Sequence, residues 1–193
     1  MVIAAVTGRG LGVNLRDYIL FWPSVVVALV LALLVSRWLA RWMHRPWAVA
    51  FALVFSIGVI VAATLTPGRD ALLFGIPGTG SCDLSHIELP GLRELLSPNE
   101  TSLNVILFVP LGVVIGYLAR SRLALGLLAA GVALPFAIEA IQLVLTPLGR
   151  TCQAVDVVDN LTGLFLGLAV GVLASAVMRW RGPRPEVEDV IEP

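Results

Sequence analysis

Five long apolar runs constrain this chain more than any other feature. Tyr18 to Ser36 is nineteen residues without a charge, and Pro46 to Gly68 is a second uncharged run. A third runs from about Leu103 to Ala119, a fourth from Leu123 to about Leu145 with Glu139 as its one acid, and a fifth from about Val157 to Met178 with Asp159. At 1.5 Å of rise per residue, about twenty helical residues cross a hydrocarbon core of roughly 30 Å. With 58% hydrophobic residues over 193 positions, a soluble single domain is excluded. The expected fold is an all-α integral membrane protein, a bundle of about five transmembrane helices. A cleaved signal peptide is the rival reading of the first run, but the run is long for one, and Arg37 and Arg41 follow where small residues would be expected.

Orientation follows from the basic residues, all thirteen of which are Arg. Arg37, Arg41, Arg45, Arg120, Arg122, Arg179, Arg181 and Arg184 lie after the first, third and fifth runs, on one side of a five-span bundle. The positive-inside rule makes that side cytoplasmic. The N-terminus, the 69–100 loop and the 146–156 turn are then outside, and the tail 179–193, ending in acids, is inside. The same placement explains the arginines by topology and argues against nucleic-acid binding. Cys82 and Cys152 both fall in outward segments, where an oxidising compartment would join them and tie the long loop over the fourth-to-fifth turn.

The chain divides at sequence level into 1–100, two helices and the loop 69–100; 101–178, a three-helix core; and the tail 179–193. The loop holds GIPGTG at 75–80, then Asp83, His86 and Glu88, and a short amphipathic piece, Leu92 to Leu96, suited to a membrane surface. Without a second His or Cys at ligand spacing, no metal site is expected. His44 sits among arginines as an interfacial residue. Asn99-Glu100-Thr101 matches a glycosylation acceptor only formally. No Ser/His/Asp or Cys/His constellation is visible, no lysine serves a phosphate loop, and no cofactor is implied.

Polar residues gather where the fourth run ends and the fifth begins. Glu139 and Gln142 share a helix face, Arg150 is in the turn, and Asp156 and Asn160 open the fifth run, while Asn104 opens the third at the same level. A charge in a membrane helix costs roughly 2.5–3.5 kcal/mol on insertion scales, so these groups need partners or a function. Arg150 is the expected counter-ion of Glu139 or Asp156. The six could line an outward pocket at headgroup depth. Gly112 and Gly116 in the third run, and Gly163, Gly167 and Gly171 in the fifth, are spaced by four, as close helix packing requires.

The pattern Asn104-xxx-Phe108-x-Pro110-x-Gly112, then Glu139-xx-Gln142, Arg150, Asp156, Asn160, Gly163 and Gly167, resembles the VanZ-like family of bacterial membrane proteins, named for a teicoplanin-resistance protein. The resemblance covers about residues 100–175. It implies a multi-pass protein of the bacterial plasma membrane and brings no established reaction. Many members carry an Asp three residues after the Arg, where this chain has Gln153; Asp159 is an additional acid nearby. Two function classes follow. One is a binding protein of the cell envelope that recognises a lipid or lipoglycopeptide-type head group and modulates antibiotic sensitivity. The other is a membrane enzyme acting on a lipid-linked substrate, with Glu139 and Asp156 as acid and base or as a cation-holding pair. A purely structural polar network stands beside both. Transport is the weakest reading, because the polar groups collect at one end.

Overall fold

The computed structural model describes residues 20–85 and 87–181. The expectations for an outside N-terminus, for His86 and for the tail beyond residue 181 lie outside the described residues. Five helices are long and apolar enough to cross a membrane: α1 (Phe21–Met43), α2 (Trp47–Thr64), α5 (Glu100–Tyr117), α6 (Arg122–Val144) and α7 (Ala154–Arg181). Between α2 and α5 come the short helices α3 (Arg69–Phe74) and α4 (Leu92–Leu96), with the two-residue strand β1 (Cys82–Asp83) between them. A 3-10 turn at Thr146–Leu148 and the strand β2 (Cys152–Gln153) join α6 to α7.

The first helix begins later and ends later than the uncharged run, continuing through Arg37 and Arg41. Long arginine stems can lie along apolar surface while the charge reaches water, so charge does not end this helix. His44 ends it, in a left-handed conformation at φ 52° that returns its N–H to the carbonyls of Ala40 and Arg41. Pro46 caps α2, as a residue with no N–H to lose. Asn99 caps α5: its side chain accepts from the Ser102 N–H at 2.8 Å, and Ser102 Oγ accepts from the Asn99 N–H at 3.1 Å. The apparent glycosylation triplet is therefore a helix start. Pro110 sits exposed within a helix that continues through it.

The tightest packing is between α5 and α7, which run parallel with α6 returning between their ends. Both carry glycine stripes, and the stripes face each other. A Cβ on Gly163 would strike the Val105 carbonyl, one on Gly167 the Val109 carbonyl, and one on Gly171 the Val113 carbonyl. From the other side, a Cβ on Gly112 would strike the Leu164 carbonyl and one on Gly116 the Leu168 carbonyl. Apolar side chains gain little by leaving lipid for protein, so close backbone contact has to supply the attraction between these helices. A second seam joins α1 to α2. Ala28, Ala32, Ser36 and Ala40 are buried along α1, and Gly58 of α2 lies against Ala28. The core forms where α2 meets the α5–α7 unit, with Leu53 and Ile60 against Phe108, Leu111, Ile138 and Leu164.

Exposed Trp38, Trp42, Trp47 and Trp180 cluster in sequence with Arg37, Arg41, Arg45 and Arg179. Tryptophan and arginine at helix ends are the composition of a membrane–water border. At the opposite end, Cys82 and Cys152 form a disulfide, with Cα atoms 4.5 Å apart. Around it β1 pairs with β2 in parallel, Cys82 opposite Cys152 and Asp83 opposite Gln153. The Gly68 N–H donates to the Leu148 carbonyl at 2.9 Å, and the Gly78 N–H to the Thr146 carbonyl at 2.7 Å. The 68–83 segment is thus fastened along the whole α6–α7 turn.

Candidate functional site

The site begins as a problem of unsatisfied backbone. A helix leaves its last carbonyls without intrahelical partners, and α2 ends inside the bundle with neither a glycine nor a basic residue in its last turn. The Leu65 N–H takes the Val61 carbonyl and Thr66 Oγ1, two residues past the helix, takes the Ala62 carbonyl at 2.8 Å, while Thr64 Oγ1 turns back onto the Ile60 carbonyl. The rest are met from other elements. Gln142 Nε2 of α6 donates to the Thr64 carbonyl at 2.8 Å. The Arg150 guanidinium donates to the Ala63 carbonyl at 3.1 Å and, through two nitrogens, to the Thr66 carbonyl at 3.2 Å. A cation at a helix C-terminus also opposes the negative end of the helix dipole. Arg150 was expected as a carboxylate counter-ion; its hydrogen bonds here join the turn to α2, while its charge also acts on Asp156.

The carboxylates meet on the other side of Arg150. Glu139 Oε2 accepts the Gln153 backbone N–H at 2.8 Å, so the β2 strand positions the one acid of α6. Asn104 Nδ2 donates to Asp156 Oδ1 at 2.8 Å, tying the first turns of α5 and α7. Asp156 stands in the first turn of α7, where the helix dipole favours a negative charge. Glu139, Gln142 and Asn160 are buried, Asn104, Arg150 and Asp156 half-buried. Asn160 is only 2% exposed, and its Oδ1 has no hydrogen-bond partner among the described residues.

All six residues line one cavity of about 390 Å³. Glu100, Thr151 and Gln153 add polar surface, and Phe21, Leu103 and Leu107 make an apolar wall. The cavity therefore offers both hydrogen-bonding groups and hydrocarbon. Asp159 does not line it. This acid is buried, and its Oδ1 has no hydrogen-bond partner among the described residues. Among the described residues no three of His, Cys, Asp and Glu approach closely enough to hold a metal ion.

Sequence reasoning missed four contributors. The carbonyls of Ala63 and Thr66 and the backbone N–H of Gln153 are invisible to side-chain pattern. Phe21 comes from the far end of the sequence. The capping of α2 did leave a signal, since a helix ending in Thr-Leu-Thr-Pro without a cap of its own must be completed by something else. Gln153 contributes its main chain to Glu139, and its side chain turns to Thr151 Oγ1 at 3.2 Å.

Five apolar helices and a polar cavity at one end of the bundle define a multi-pass helical membrane protein with a built recess. The family model described as VanZ/LLP1 matches residues 78–175, just over half of the sequence, and the chain belongs to that family. The matched segment starts within the loop, ahead of Cys82, and runs through α7 to residue 175. It leaves out α1 and α2, which complete the cavity. Comparisons with curated proteins and with solved structures give no match.

Proposed function

We propose that this protein works in the bacterial plasma membrane, with its disulfide end outward, recognising a lipid or lipoglycopeptide-type head group in the cavity and modulating sensitivity to teicoplanin-like antibiotics. The observation that carries the reading is the cavity's mixed polar and apolar lining. Glu139, Asp156, Arg150 and the amides of Asn104 and Asn160 face the same space as Phe21, Leu103 and Leu107. A head group would meet the polar side while its chains follow the apolar wall into the bilayer. The disulfide supports the orientation, since such bonds persist on the oxidising side of the envelope.

The test is expression in a susceptible bacterium that lacks the protein. Teicoplanin sensitivity is expected to fall, and Asn104→Ala and Glu139→Gln to restore it while the protein still accumulates in the membrane. Unchanged sensitivity with a correctly inserted protein would sink the antibiotic part of the reading. A reporter fused at the C-terminus should be active only as a cytoplasmic fusion.

A second reading is a lipid-directed enzyme, favoured by two carboxylates on one cavity, Glu139 and Asp156, within electrostatic reach of each other. It requires that Glu139→Gln keep head-group binding and abolish turnover. Binding alone requires graded losses across several of the six positions.

A further inference from the structure

We infer that the cavity takes the ammonium end of a lipid-tailed amine; this rests on the head-group reading above and names the chemistry of the head. The argument is a count of committed and uncommitted hydrogen-bonding groups. The donors around the cavity are largely committed to the protein. Gln142 Nε2 is on the Thr64 carbonyl, the Arg150 guanidinium is on the carbonyls of Ala63 and Thr66, and the Asn104 amide is on Asp156.

The acceptors are not. Glu139 uses Oε2 on the Gln153 N–H and Asp156 uses Oδ1 on Asn104, which leaves the second oxygen of each carboxylate without a protein donor among the described residues. The Asn160 Oδ1 has no hydrogen-bond partner among the described residues but is closed off from the cavity, so the acceptors open to a ligand are those two carboxylate oxygens. A carboxylate oxygen facing a cavity gains from a charged donor that a ligand brings. An ammonium group has three donors and no acceptor, matching Glu139 and Asp156. Charge points the same way. Three carboxylates, Glu100, Glu139 and Asp156, line the cavity against the single guanidinium of Arg150. Glu139, buried, and Asp156, half-buried, gain from a counter-charge that is also a donor. The apolar wall of Phe21, Leu103 and Leu107 then selects an amine carried on acyl chains.

The purified full-length protein in neutral detergent is titrated with four probes and read by native mass spectrometry. These are dihexanoyl-phosphatidylethanolamine, dihexanoyl-phosphatidylcholine, dihexanoyl-phosphatidylglycerol and free phosphoethanolamine. The first two share a phosphate and a positive nitrogen and differ in N–H donors. The expected result is that the ethanolamine lipid binds at least about tenfold more tightly than the choline and glycerol lipids, the ratio about 1.4 kcal/mol confers. Free phosphoethanolamine should be weaker still. Glu139→Gln and Asp156→Asn should each weaken the ethanolamine lipid more than the choline lipid, because both lose charge attraction and only the ethanolamine lipid also loses a charged hydrogen-bond acceptor. Equal affinity for the ethanolamine and choline lipids in the native protein overturns the proposal without recourse to any variant. Tightest binding of the glycerol lipid, lost in Asn104→Ala, overturns the ammonium assignment while the head-group reading stands. Free phosphoethanolamine as tight as its lipid removes the tail from the proposal. If no lipid binds, the head-group reading fails along with it.

Discussion

Arg150 is the residue on which the site depends most, and its role is to hold two parts of the backbone. Its three hydrogen bonds reach the Ala63 and Thr66 carbonyls, more than eighty residues away in sequence. A hydrogen bond to a charged group contributes about 1.5–3 kcal/mol, so Arg150→Ala is expected to destabilise the fold by at least about 2 kcal/mol. Arg150→Lys should recover only part of this, because an ammonium cannot span two carbonyls as a planar fork does. Thermal unfolding in one detergent, followed by circular dichroism, checks both; equal stability of all three proteins would show that α2 needs no such cap. Gln142→Leu should lower stability by about 1 kcal/mol, since the Thr64 carbonyl loses its donor. The six cavity residues were legible in sequence because polar side chains in apolar helices are expensive and therefore few. Their partners outside the six were not, because these are main-chain atoms, and a pattern of side chains says nothing of where a distant carbonyl will lie.

At the scale of helices, the α5–α7 seam was legible as glycines four apart, although spacing alone did not say which stripes would meet. The α1 stripe of Ala28, Ala32, Ser36 and Ala40 passed unnoticed because alanine is common throughout this apolar chain and no rarer residue marks the face. The seam predicts a sharp contrast between glycines. Gly167 meets the backbone of Val109 and Val113, whereas an added methyl at Gly126 of α6 meets nothing within 4 Å. Gly167→Ala is expected to destabilise by about 1–3 kcal/mol through overpacking. Gly126→Ala should be neutral or stabilise by up to about 1 kcal/mol through helix propensity. Resistance to denaturation by increasing sodium dodecyl sulfate separates the two, and similar curves for both variants would show that α5 and α7 can move apart at little cost.

Over the whole molecule, the 68–83 segment, the disulfide and the α6–α7 turn act as one clamp around the cavity. Reduction of Cys82–Cys152 is expected to leave the five spanning helices in place and to speed amide exchange at Gly78 and Gln153 by about tenfold or more. Exchange unaffected by reduction would mean that the β1–β2 pair and the loop hydrogen bonds suffice without it. The cysteine pairing was readable from topology, since two thiols on one face of a membrane protein have few other partners. The short β1–β2 ladder and helix α3 were not, because two- and six-residue elements are held by neighbours instead of by their own pattern. The backbone contact between α5 and α7 has a mechanical consequence. Two helices that touch without intervening side chains have no rotamers to yield, so they behave as a single rod. Any breathing that admits a guest must then be a displacement of α2 or of the clamped turn against that rod. Distances between spin labels on α5 and α7 would stay fixed as the cavity fills, and those from α2 would change.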